Sequence, residues 1–140
     1  MLGGMASNLT FDLPRLIAFY KTRHPLCQAE NMAGIGWERD GEIQATVIYE
    51  GINAFNCWMH CAAVPGRHWL NRTFLRAAFA YPFLVCKVQR VRGYVDASNR
   101  EARRGDEHLG FRVEAVLEGA AKDGGDVLIY VMRREDCRYA

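Results

Sequence analysis

Hydrophobic positions along the chain recur at two spacings, and the switches between them mark out the elements. Leu13, Leu16, Ile17 and Tyr20 fall at helical spacing between Phe11 and Tyr20, with Asp12 placed to cap the helix and Pro14 in its first turn. Residues 1–9 carry small and polar types with no period and are expected to be mobile, and residues 21–32 around Pro25 are polar and irregular. Alternating runs from Gly34 to Arg39 and from Glu42 to Glu50 flank Asp40-Gly41, a pair that takes positive φ readily and so predicts a two-residue hairpin turn. After a second turn at Gly51-Ile52-Asn53, a third strand is predicted from Phe55 to Val64. Phe55, Cys57, Met59 and Cys61 share one of its faces; Asn56, Trp58, His60 and Ala62 share the other.

Pro65 ends that strand, and the loop Gly66 to Arg72 opens a helix from about Thr73 to Tyr81, with Phe74, Leu75, Ala78 and Phe79 as its buried stripe and Pro82 closing it. In the fourth strand Val91, Gly93, Val95 and Ala97 alternate with Arg90, Arg92, Tyr94 and Asp96, which predicts two covered faces. Ser98 with Glu101 three places on has the spacing of a capping box, and Leu109-Gly110 supplies a left-handed stop, so a helix of about three turns is expected between them. Strand, loop, helix, strand is a crossover, so the third and fourth strands should run parallel. A final hairpin joins Arg112 to Leu117 with Val127 to Arg134 across Lys122-Asp123-Gly124-Gly125. The fold class is therefore mixed α/β (α+β), a mainly antiparallel sheet with one parallel pair and flanking helices, in a single domain spanning residues 1–140.

Composition narrows the function. A chain of 140 residues buries enough surface to need no metal or disulfide staple. Its formal net charge of +2 is too small for a nucleic-acid binder, leaving room only for a local anion site. The five cysteines, Cys27, Cys57, Cys61, Cys86 and Cys137, show neither framework spacing nor a CxxC and read as reduced thiols of a cytoplasmic protein. Cys57, His60 and Cys61 lie close in sequence, but on a strand His60 points away from both cysteines, so no metal site is expected. No N-terminal basic and apolar segment and no membrane-length window occurs.

Candidate chemistry starts at the loop Gly66 to Arg72, because the start of a helix offers unpaired N–H groups and a positive dipole end to an anion; a solvated basic loop is the plainer alternative. The run Val95-Asp96-Ala97-Ser98-Asn99, then Ala102, then Glu107-His108-Leu109-Gly110-Phe111-Arg112-Val113-Glu114 resembles the asparagine and "LGF" signature of the GNAT superfamily, the acyl-CoA-dependent N-acyltransferases. The resemblance covers roughly residues 33–137.

What the resemblance implies is acetyl-CoA as cosubstrate, lying in a V-shaped opening between the third and fourth predicted strands, and an amine acceptor chosen partly by residues 21–32. Its diphosphate would rest on Gly66, Arg67, His68, Trp69, Leu70, Asn71 and Arg72, where Trp69 and Asn71 replace the small residues of the family pattern and Arg67, His68 and Arg72 would compensate. The pantetheine arm would meet the open strand edge at Ala62, Ala63 and Val64, with Asn99 opposite; read alone, Asn99 is a helix-start residue. Arg104, with Arg100 and Arg103, would reach the adenosine end or simply face solvent.

His60 is the expected base, since imidazole titrates near neutrality, against the reading of a hydrogen-bonded core histidine; Glu50 is the second candidate. Where the family places a tyrosine to protonate the leaving thiolate, five residues before Phe111, this chain has Asp106. At an ordinary carboxyl pKa near 4 it is a poor donor, which leaves Tyr94, Tyr130 or Ser98 as substitutes. The expected reaction is direct acetyl transfer to a primary amine, with a CoA-binding module lacking catalysis as the rival; the sequence is silent on assembly, and a homodimer is only what the resemblance allows.

Overall fold

The protein is described by a computed structural model over residues 8–26, 31–66 and 68–140; Arg67, Cys27 and the N-terminal residues 1–7, with the expectations placed on them, lie outside the described residues. The order of elements is β1 (Leu9–Thr10), α1 (Leu13–Lys21), β2 (Ala33–Arg39), β3 (Glu42–Glu50), β4 (Asn56–Ala63), α2 (Arg72–Ala80), β5 (Arg90–Asp96), α3 (Arg100–Leu109), β6 (Arg112–Leu117) and β7 (Val127–Arg133). Among the described residues no helix is long and apolar enough to cross a membrane.

All seven strands form one sheet in the order β1-β2-β3-β4-β5-β7-β6, and β4 with β5 is its parallel pair. Asp40 and Gly41 turn the β2–β3 hairpin with φ of 53° and 79°, both positive as the two-residue turn requires. Alternation then sorts the side chains. Ala45, Val47, Tyr49, Cys57 and Val91 face α2, whose Phe74, Ala78 and Phe79 complete the main core. Ile48 and Ala62 face the other way and pack with Leu16 and Tyr20 of α1. Phe111, at the end of α3, has its ring 6.0 Å from that of Phe79, so α3 shares the α2 side of the sheet.

Four expectations are corrected. Leu9, placed in the mobile N-terminus, joins Thr10 in a short edge strand that pairs with Trp37 and Gly36. Pro82 does not end its helix; it sits in a π-helical turn, Tyr81–Val85, in which the Cys86 N–H reaches the Tyr81 carbonyl, so the ring is absorbed by a wider turn. Asn99, not Ser98, caps α3, its Oδ1 accepting from the Ala102 N–H at 3.1 Å while the Ser98 hydroxyl donates to Asp123. The second face of β5 is also open, for Tyr94 remains 54% exposed.

Helix α1 is seated by the absence of a side chain. A Cβ on Gly36 would collide with Leu16 and lie 2.9 Å from Thr10 Cγ2. Gly36→Val is therefore expected to cost about 1–3 kcal/mol in denaturant unfolding and to loosen α1; unchanged stability would refute this account of its docking.

Candidate active site

The parallel strands part soon after they meet. Their pairing covers Asn56 with Arg90, Cys57 with Val91 and Trp58 with Arg92. Beyond that point β4 stays with β3 as far as Ala63, and β5 stays with β7 as far as Asp96. The β4 groups from Met59 onward that point away from β3, and the facing β5 groups, have no strand partner among the described residues. Such backbone groups need partners, and a ligand with amides along its length supplies them. Gly93 lies at the vertex, where a Cβ would stand 3.3 Å from the Met59 carbonyl oxygen.

On the α1 side, three sequence candidates come together. His60 is buried, and its Nε2 lies 2.8 Å from Glu50 Oε1. The pairing follows from register: Ile48 stands opposite His60 and Glu50 opposite Trp58, so Glu50 is the diagonal same-face neighbour of His60. A carboxylate only accepts, which assigns the proton to Nε2 and leaves Nδ1 as the nitrogen able to take another. The Tyr94 and Tyr20 rings stand edge-on to the imidazole at 5.5 and 6.2 Å, and Trp58 meets Tyr94 at 6.1 Å. Sequence reasoning counted Tyr20 only as part of the apolar stripe of α1. Burial pushes its phenol upward, with Tyr94, Cys61 and Glu50 adding to the effect, so it remains neutral.

The other side of the gap holds a different pair. Cys61 follows His60 and therefore points to the opposite face, toward Asp106 of α3. The thiol can be reached from solvent, yet the narrow gap surrounds it closely enough to push it up to about 12, burial being the main cause and the Asp106 carboxyl the second. Asp106 is half-buried and pushed up to about 7, first by burial and then by Glu107. The expectation of an ordinary carboxyl pKa is thereby overturned. No signal in the local sequence carried this, because the desolvation comes from how α3 lies over the sheet.

Both crossover helices start at the wide end of the gap. At the β4–α2 loop the positive φ falls at Gly66, 102°, whereas Trp69 and Asn71 keep ordinary backbone. Trp69 turns its ring toward Phe74, at 6.3 Å, and donates its indole N–H to the Gly66 carbonyl at 3.0 Å. Asn71 caps α2 by accepting from the Phe74 N–H, and His68 contacts Gln44. An anion at this end would thus be met by amides upstream of Phe74, with the Arg72 side chain exposed beside them. Asn99 spends its side-chain carbonyl oxygen on the α3 cap, and both Asn99 and Arg104 are exposed. Arg103 is tied to the Ala97 carbonyl. A separate groove of about 460 Å³ lies on the outer flank of α1, lined by Arg15, Phe19, Arg23, Gln44 and Val64 among others, apart from the Glu50–His60 pair.

No family model and no curated protein matches the sequence. Solved structures do match the fold. Spermidine N-acetyltransferase SpeG from Vibrio cholerae superposes in a mutant form with a TM-score of 0.74 at 16% identity, covering 92% of this chain and 95% of that one. This is the GNAT fold. The same enzyme in complex with manganese ions gives 0.74 at 16% identity over 93% and 95% of the two chains, and its dodecameric intermediate state gives 0.73 at 17% over 92% and 95%. The parted strands β4 and β5 form the opening expected between the third and fourth predicted strands.

Asp106 gives a test independent of activity. Between the ordinary carboxyl range, about 4, and its folded value of about 7, the native protein keeps a proton that the unfolded chain releases, so this group makes stability fall as pH rises through that window. Asp106→Asn should match the parent near pH 4 and exceed it by at most about 4 kcal/mol above pH 7 in urea unfolding. Parallel stability curves across that range would contradict the assignment.

Proposed function

We propose that this protein is an acetyl-CoA-dependent N-acetyltransferase that moves the acetyl group directly to a primary amine. The observation that carries the reading is the Glu50–His60 pair opening onto one side of a gap between two parted parallel strands. The residues available suit the cosubstrate: the β4 edge at Met59, Cys61 and Ala63 for its amides, the Val64 N–H and with it the expected Ala62 and Val64 backbone being turned to β3 instead, and the loop from Gly66 to Arg72 for its diphosphate. The amino group approaches from the α1 side, where the partly exposed Glu50 carboxylate attracts the ammonium and the buried His60 behind it takes up positive charge. Tyr94 and Trp58 form the ledge for the body of the acceptor.

In the transfer the amine nitrogen bonds to the thioester carbonyl carbon, the carbon–sulfur bond breaks, and the amine's proton passes to the Glu50–His60 pair. Cys61, with its thiol held up to about 12, stays protonated and is no nucleophile, which favours direct attack over a covalent acyl-enzyme. A CoA-binding module without catalysis would have no need of the Glu50–His60 pair. Exposed Val113, Val116 and Leu117 on the sheet-edge strand β6 support pairing of two copies, and unpaired thiols suit a cytoplasmic setting.

His60→Ala is expected to lower kcat/KM for the amine about a hundredfold while leaving the acetyl-CoA Kd within about twofold; an unchanged rate would refute the assignment. His60→Gln, which keeps a donor toward Glu50 but no nitrogen able to take the amine's proton, should lose kcat/KM about as much as His60→Ala.

A further inference from the structure

The α1 side of the gap is walled by rings. Tyr20, His60, Tyr94 and Trp58 follow one another with ring centres 6.2, 5.5 and 6.1 Å apart, and the Glu50 carboxylate joins the run at His60, 2.8 Å from Nε2. Alternation sets the order, since Trp58 and His60 share one face of β4 while Arg92, Tyr94 and Asp96 share the corresponding face of β5.

The rings differ in what they leave open. Tyr20 and His60 are buried. Trp58 is wedged: Arg92 lies 4.8 Å above its ring, Ala121, Val127 and Ile129 pack against it, and a Cβ on Gly51 would stand 3.1 Å from its Cδ1. Tyr94 is the exception, with 54% of its surface exposed beside the imidazole and Trp58 fixed behind it. An exposed ring held between rigid neighbours offers a stacking surface to another ring.

Charge limits what can lie there. Glu50 is the partly exposed carboxylate at the pair, Glu114 is engaged by Arg90 and Arg92, and Asp96 stands beyond Tyr94 toward the wide end, on the proposed route of the cosubstrate. Cations bound the run of rings at both ends. Arg92 covers Trp58 at one; at the other His24, its ring 5.5 Å from Tyr20, has its pKa lowered by burial and then by Lys122 and Arg23. One ammonium is welcome in the middle, and a second would meet like charge at either end.

Resting on the acetyltransferase reading, we propose that the acceptor is a monoamine bearing an aromatic ring on a short alkyl linker of about two carbons, with the amine at Glu50–His60 and the ring stacked on Tyr94. Tyr94 is then a specificity-determining residue, because the imidazole lies 5.5 Å from its ring and atoms a few bonds from the amine reach that surface.

The test is a comparison among amines with acetyl-CoA, read as release of free thiol. For the parent, kcat/KM for phenethylamine should exceed that for hexylamine about tenfold, and that for spermidine by more. Tyr94→Leu should bring the phenethylamine to hexylamine ratio to about one through a higher KM for phenethylamine, and Tyr94→Phe should keep the parental ratio. A general loss of folded enzyme lowers both rates and leaves their ratio unmoved. A parent that prefers hexylamine or spermidine, or a Tyr94→Leu enzyme with the parental ratio, would overturn the aromatic acceptor while leaving the acetyltransferase reading intact. So would a parent that binds acetyl-CoA and acetylates none of the three amines; one that fails even to bind acetyl-CoA would overturn both.

Discussion

The structure depends on a broken partnership: β4 and β5 hold hands for three residues and then follow different neighbours. β5 is paired to β7 along its whole length, and β4 is paired to β3 from Trp58 onward, so each half of the sheet keeps its own twist. The closed end is clamped. Arg92 donates to Asn56 Oδ1 at 2.9 Å, lies 4.8 Å above the Trp58 ring, and shares Glu114 with Arg90. With the vertex fixed this way, strand divergence opens toward the C-terminal ends, where α2 and α3 both begin and present their positive ends.

One strand also imposes two electrostatic environments. On the α1 side a carboxylate meets imidazole, a pairing that welcomes positive charge. On the α3 side a carboxyl lies near a thiol with no ion pair to it among the described residues, and burial favours the neutral form of both. The two environments lie a single peptide apart on β4. Proximity in sequence gives opposite surroundings because the pleat reverses direction at each residue.

Much of this was legible in the residues. The Asp40-Gly41 turn, the crossover, the left-handed Gly110 and the opposite facing of His60 and Cys61 follow from local rules that tertiary packing did not override. The pairing of Glu50 with His60 was not legible, because it requires the β3–β4 register, which is fixed by the loop between them rather than by either strand. Ser98 lost the capping role to its neighbour because Asp123, distant in sequence, offered its hydroxyl another partner. Asp106 was misjudged for the same kind of reason: a carboxyl's acidity belongs to what covers it, and the cover comes from β4.

The stapled Trp69 changes what the β4–α2 loop would ask of the proposed ligand. A glycine-rich turn would offer more amides but would have to be frozen on binding. Here the indole bond from Trp69 to Gly66 and the Asn71 cap hold the start of α2, so an anion proposed for this end would meet amides between Trp69 and Phe74 whose ordering is part of folding rather than of binding.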